Sequence, residues 1–207
     1  CDAAFESKRE FDAHVIFSHK TDTVLKKKVL ILGGGFGGLY VLKDLQKKID
    51  SKKISITIVS ENNYFLFTPM LPEVASGMLN PRDITIPIRH FCTHAKFYQA
   101  TVFAIDLAQK FATITRKFDG KDYVLEYDYL VLAVGGINNF FGNKALEENS
   151  FTIKTVEDAI ELRNQSLLMM ELAAQTGSIE LQQKFLTFTV VGAGFAGVEI
   201  IGEINHF

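Results

Sequence analysis

The stretch Val29–Leu42, VLILGGGFGGLYVL, decides the architecture. Four apolar residues, five glycines within six positions and an apolar-periodic run reaching Ile49 read as strand, tight turn and amphipathic helix. Ile54–Val59, ISITIV, is a β-branched run suited to a second buried parallel strand, so residues 29–59 read as one βαβ unit. Inside it, Gly33-x-Gly35-x-x-Gly38 has a dinucleotide-binding spacing. The first glycine permits the tight turn, the second lets the backbone approach a pyrophosphate, and the third lets helix pack closely on strand. Amide groups at the helix start, with the helix dipole, favour phosphate there. Glu61, 23 residues past Gly38 at the end of the second strand, can accept two hydrogen bonds from a ribose diol.

The pattern occurs twice. Phe185–Val191, FLTFTVV, reads as a strand, and Gly192-x-Gly194-x-x-Gly197-x-Glu199 follows it, opening another helix. Nine of the 15 glycines fall in Gly33–Gly38 and Gly192–Gly202. Two fingerprints imply two nucleotides and electron transfer between them. The acid or arginine that separates NAD from NADP belongs about 20 residues past the second fingerprint, beyond Phe207.

Between the fingerprints, residues 64–88 contain all four prolines and are expected to be mostly loop with short helices. FYQATVFAID, KFATITRK and KDYVLEYD, separated by Gln109-Lys110 and Asp119-Gly120, predict an antiparallel meander. Tyr129–Val134, YLVLAV, reads as another buried parallel strand, closed by Gly135-Gly136. Thr155-Val-Glu-Asp158 is a capping box opening a helix over about 156–174. The fold class expected is α/β: a doubly wound Rossmann-like domain with an antiparallel meander, then the start of a second Rossmann-like domain. Residues 1–25 read as an extension or the tail of something upstream, 26–145 as the first domain without its final return, and 150–207 as the truncated beginning of the second. The absent initiator Met fits a fragment. Most of the 18 Phe are expected in the core.

The bulk numbers narrow the function. With 47% hydrophobic residues and 22% charged, the 207-residue chain can bury a core. Its 22 Lys+Arg against 24 Asp+Glu leave a net charge of −2, so no nucleic-acid partner is expected. Two cysteines and no apolar signal region point to a reducing compartment. The run Lys26–Lys28 reads as a solvated charge run ahead of a buried strand rather than a lipid contact. His90-x-Cys92-x-His94 invites a metal reading, but on a helix Cys92 points away from both histidines, so no metal site is expected.

GGGFGG, SENNYFLFTPMLPEVASG, DYLVLAVGGINNFFG, TVEDAIELRNQ and VVGAGFAGVEIIGEINHF together resemble the type II NADH dehydrogenases, single-subunit NADH:quinone oxidoreductases among the flavoproteins with two dinucleotide-binding domains. The resemblance covers about residues 28–207. It implies FAD held by Gly33, Gly35, Phe36, Gly38 and Glu61, with Thr68 and Pro69 near the flavin, Val102 touching the adenine by its backbone, and Ala133 to Gly135 lining the nucleotide. NADH, or NADPH, is then expected on Gly192, Gly194, Phe195 and Gly197, with Glu199 matching the acidic residue that faces nicotinamide and flavin. A quinone acceptor, a peripheral position on the cytoplasmic side of a membrane reached through a C-terminal region, and a homodimer belong to the same expectation. Disulfide reductases of this architecture carry a CxxxxC pair shortly after the first fingerprint, whereas residues 33–91 here contain no cysteine. Two other readings stay open: a reductase of the same fold with a ferredoxin- or rubredoxin-type acceptor, and a dinucleotide-binding sensor without turnover. With both phosphate-binding starts and neither site complete, residues 1–207 alone are expected to be inactive.

Overall fold

A computed structural model describes residues 26–205. Packing divides them into two compact units: the described residues up to Asn63 with Ile88–Val134, and Tyr64–Pro87 with the described residues from Gly135 onward.

The first unit is built on a six-stranded sheet. Its strands are β1 (Lys27–Leu32), β2 (Ile54–Ser60), β5 (Ala95–Asp106), β6 (Phe111–Arg116), β7 (Asp122–Glu126) and β8 (Tyr129–Leu132), in the order β7-β6-β5-β2-β1-β8. β5, β2, β1 and β8 run parallel, and β5, β6 and β7 form the expected antiparallel meander. β5 serves both halves. Ala95–Gln99 pair with β2, and from Ala100 onward the strand pairs with β6, with a register shift between Val102 and Ala104. Helix α1 (Phe36–Lys48) makes the crossover from β1 to β2.

β1 is buried on both faces because both are covered. Leu30 and Leu32 pack with Val59, Ala100, Ala112, Ile114 and Tyr127; Ile31 faces α1, whose Leu39 and Leu42 are buried. The lysine run ahead of β1 is tied to its own chain. Lys26 donates to the Ser51 carbonyl at 2.9 Å, and Lys27 and Lys28 pair with Asp128 and Glu126 at 3.3 and 2.6 Å. The expected strand at Tyr129–Val134 pairs with β1 but is not buried: Tyr129 is 59% and Leu132 58% exposed. It is the last strand in the sheet order, so its outer flank has no neighbour among the described residues.

The second unit holds the proline-rich segment, which is more ordered than a loop. β3 (Tyr64–Leu66) pairs antiparallel with β4 (Thr85–Pro87), and between them lie 3-10 turns at Thr68–Met70 and Pro81–Ile84 and helix α2 (Leu71–Ala75). Pro69, Pro72 and Pro81 sit at first-turn positions of these short helices, where a missing N–H costs nothing, and Pro87 ends β4. Helices α3 (Lys144–Glu148), α4 (Val156–Gln175), α5 (Ile179–Phe185) and α6 (Phe195–Ile204) follow. Leu71, Val74, Ala75, Ile84, Ala159 and Ile200 form the core. The capping box of α4 is complete: Thr155 accepts from the Asp158 N–H while Asp158 accepts from the Thr155 N–H.

Two expectations fail here. Phe185 ends α5, and residues 187–191 form no strand, because a strand needs a pairing partner and none lies beside them among the described residues. Nor are most phenylalanines core: among the described residues only Phe65 and Phe97 are buried, while Phe103, Phe118 and Phe141 are at least 73% exposed. These three lie beside the β5 irregularity, in the β6–β7 turn and in the loop after β8, not at inward strand positions.

Candidate dinucleotide-binding turns

Both glycine clusters fold into the same turn, each within its own unit. In the first, Gly33 turns the chain at φ +110°, where L side chains are strained, and its N–H donates to the Val59 carbonyl at 2.8 Å. A Cβ on Gly33 would lie 2.1 Å from the Ala133 carbonyl oxygen. A Cβ on Gly38 would lie 1.9 Å from the Gly33 carbonyl oxygen and 3.4 Å from Ile31 Cγ2, so the helix rests directly on the end of the strand. Gly35 is the opposite case: an added Cβ meets no protein atom within 4 Å.

The second turn repeats the internal geometry, although a Cβ on Gly192 meets nothing within 4 Å. Gly192 has φ +114°, a Cβ on Gly197 would lie 2.0 Å from the Gly192 carbonyl oxygen and 3.4 Å from Val190 Cγ1, and a Cβ on Gly194 meets nothing within 4 Å. The first helical hydrogen bonds match as well, Leu39 N–H to Gly35 at 3.0 Å and Val198 N–H to Gly194 at 3.1 Å. Gly35 and Gly194 are the N-caps of α1 and α6, and neither helix has a side-chain cap or an acidic residue in its first turn.

This arrangement fits a phosphate-bearing group. In each turn two glycines are required by the protein's own backbone, and the third is bare toward open space at a helix N-terminus. There the dipole and the outward-pointing amides favour negative charge, with no carboxylate competing for them.

The first unit gathers the other expected residues around the same sheet end. β1, β2 and β8 finish together, since Leu32 pairs with both Val59 and Leu132, and Ala133 donates its N–H to the Leu32 carbonyl at 2.8 Å. Glu61 follows β2 and is exposed, with its backbone carbonyl held at 3.2 Å by Gln99 Nε2. Val102 lies where β5 runs past the end of β2, half-buried against the cluster around Leu32. Phe36 opens α1. In the second unit, Thr68 and Pro69 are exposed at the start of a 3-10 turn, and Gly135 bends the chain at φ +75°. Phe195 and Glu199 are both exposed and sit one helical turn apart on α6.

Three neighbours of the first turn escaped the motif reading. A Cβ on Gly34 would meet Ile88 Cδ1 at 2.4 Å and Ser60 Oγ at 2.6 Å, so the middle of the GGG run is also fixed by packing. The run itself is the signal for Gly34. Ser60 and Gln99 had none, because what they touch is distant in the chain.

Around the remaining motif, His90-x-Cys92-x-His94, no group of three or more His, Cys, Asp or Glu side chains is placed to hold an ion among the described residues. The 3-10 helix Ile88–Phe91 ends before Cys92. Burial pushes the Cys92 thiol up, Arg89 opposes this more weakly, and the Sγ–H donates to the Ile88 carbonyl at 3.5 Å. No helix among the described residues is long and apolar enough to cross a membrane.

A family model described as pyridine nucleotide-disulphide oxidoreductase matches residues 27–207. The chain belongs to this family. Within it, the chain is 34% identical to a probable NADH dehydrogenase of Dictyostelium discoideum over 97% of its own length and 45% of that protein's. It is 35% identical to a type II NADH:quinone oxidoreductase of Mycobacterium tuberculosis, over 86% and 38% respectively. NDH2 from Plasmodium falciparum, solved in complex with NADH, superposes with a TM-score of 0.76 at 33% identity over 86% of this chain and 36% of that one. The chain therefore spans less than half the length of these relatives, and its α/β architecture matches part of a family member's.

Proposed function

We propose that the protein containing this chain is a flavoprotein oxidoreductase that passes a hydride from NADH to FAD and then electrons to a quinone. The duplicated glycine turn carries this reading, because two cradles of one geometry on one chain suit two dinucleotides. The names of the relatives from D. discoideum and M. tuberculosis support the choice of NADH and quinone.

In this assignment Gly33, Gly35, Phe36, Gly38 and Glu61 hold FAD, with Thr68, Pro69, Val102, Ala133 and Gly135 lining it. Gly192, Gly194, Phe195 and Gly197 hold NADH or NADPH. FAD, when bound, supplies the two-electron redox chemistry. The residues of this chain bind and orient: the N-terminus of α1 offsets pyrophosphate charge, Glu61 accepts from the ribose hydroxyls, and Glu199 positions the nicotinamide amide or holds a proton beside it. Residues 26–145 then make up the FAD-binding domain and 150–207 the opening of the NADH-binding domain, with 1–25 outside both. Peripheral attachment to a membrane and a homodimer complete the assignment.

The test is spectroscopic. Full-length protein purified without added cofactor should show bound-flavin absorption, NADH should bleach it anaerobically, and quinone should reoxidise it faster than a ferredoxin- or rubredoxin-type acceptor. Absence of flavin, or flavin that NADH does not bleach, refutes the reading; flavin bleached by NADH but indifferent to quinone leaves only its acceptor half wrong.

A further inference from the structure

We infer that a cavity in the first unit, distinct from the Gly33–Gly38 turn, binds a purine mononucleotide. The cavity has a volume of about 340 Å³ and is lined by Arg89, Phe97, Tyr98, Gln99, Arg116 and Phe118. Arg89 comes from the 3-10 helix Ile88–Phe91, residues 97–99 from β5, Arg116 from the end of β6 and Phe118 from the turn after it. Its volume lies at the small end of the roughly 300–1,000 Å³ typical of small-molecule sites, which suits a mononucleotide better than a dinucleotide.

The lining supplies each contact such a ligand needs. Both arginines lie on aromatic faces, Arg89 Cζ 5.0 Å from the Phe97 centroid and Arg116 Cζ 4.4 Å from that of Phe118. Arg116 is neutralised by its ion pair with Asp119, whereas Arg89 has no carboxylate partner among the described residues. The cavity thus presents one uncompensated guanidinium, whose planar fork of donors matches a phosphate. Phe118 is 80% exposed, so a ring face remains open for a base to stack on. Gln99 uses its Nε2 to hold the Glu61 carbonyl, which leaves Oε1 as an acceptor for an exocyclic amine. Guanidinium, ring face and amide oxygen correspond to the phosphate, base and amino group of an adenine mononucleotide.

AMP is the probe, titrated by calorimetry into the full-length protein as purified, with adenosine and inorganic phosphate alongside. AMP should bind, and each fragment should bind at least tenfold more weakly. Arg89→Ala and Phe118→Ala should each weaken AMP at least tenfold, and Arg89→Lys by less, with the melting temperature and any flavin absorption unchanged. Three results overturn the inference: no AMP binding; AMP binding that ignores Arg89→Ala and is displaced by NADH, which assigns it to a nicotinamide nucleotide site; or loss of bound flavin in Arg89→Ala, which makes the cavity part of the flavin site. None of these touches the duplicated turn, so the inference can fail while the proposed function stands.

Discussion

Alanine at Gly38 pushes a Cβ to 1.9 Å from the Gly33 carbonyl oxygen, while alanine at Gly35 meets no protein atom within 4 Å. The two substitutions should therefore separate folding from binding within one motif. At Gly38 the obstacle is backbone, so no side chain can rotate away and α1 must lift off β1. Overpacking costs about 1–3 kcal/mol and occasionally more; with the upper end apt here and about 1 kcal/mol recovered from the better helix propensity of alanine, the net loss is about 2 kcal/mol. At about 2–4 °C per kcal/mol for a domain of this size, the melting temperature should fall by about 4–8 °C. Gly35 has φ −82°, which alanine adopts freely, and as an N-cap alanine is poorer than glycine by about 1 kcal/mol or less, so the fall should stay within about 4 °C. Its methyl group instead occupies the space left for the ligand. If that overpacking also costs about 1–3 kcal/mol, flavin affinity drops about 5- to 150-fold at 1.4 kcal/mol per decade. Thermal unfolding by circular dichroism and flavin titration of apoprotein measure the two effects. Equal destabilisation by both substitutions, or a Gly35→Ala protein that binds flavin normally, refutes the reasoning.

Other residues give independent tests. Glu61→Ala removes charge-assisted hydrogen bonds worth roughly 1.5–3 kcal/mol each and should lower flavin occupancy on purification; unchanged occupancy refutes its ribose role. Glu199→Gln should slow NADH-driven flavin reduction in stopped flow while flavin stays bound, and loss of flavin instead would make Glu199 structural. For Asp158, burial works to raise the carboxyl, but hydrogen bonds from the Lys154 N–H, Thr155 and Thr152 outweigh it and hold it below the ordinary carboxylate range. Because the folded value lies below the unfolded one of about 3.9, this contribution to stability is full above about pH 4 and is lost as pH falls through the folded value. Asp158→Asn should flatten the acid limb of the stability curve, and acid unfolding parallel to that of the unsubstituted protein would sink the point.

What could be read from residues alone follows the range of the forces involved. The meander with its Asp119-Gly120 turn and the α4 capping box depend on residues a few positions apart, the βαβ unit is marked by the pattern of each segment and its glycine turn although β1 and β2 pair 27 residues apart, and all three are present. Residues 185–191 have the composition of a strand, but strandedness lies in the pairing, and here the apolar run ends a helix and continues unpaired. Tyr129–Leu132 has the right pairing and less burial than its composition suggests, since among the described residues it is an edge strand with one flank without a neighbour. In the proline-rich segment, proline density obscured a two-stranded pairing between residues about 20 apart, Tyr64–Leu66 with Thr85–Pro87. At the candidate site the glycine spacing was legible, whereas the Gln99 hold on Glu61, 38 residues away, was not.

The second turn shows why the spacing was so informative. Among the described residues no strand pairs with those before Gly192, yet its φ differs by 4° from that of Gly33, and the virtual contact from Gly197 to Gly192 differs by 0.1 Å from that of Gly38 to Gly33. The sheet therefore does not shape the turn. Three features common to both lie within the six residues of the motif: a left-handed first glycine, its carbonyl under the last glycine, and a bare middle glycine capping the helix. What the sheet adds is an anchor, because the Ala133 carbonyl closes on Gly33 while nothing lies within 4 Å of the corresponding Cβ position on Gly192. A cradle built largely by local contacts needs little ordering when a ligand binds, which lowers the entropic cost of binding there. Among the described residues the two turns then differ in what surrounds the first glycine rather than in shape.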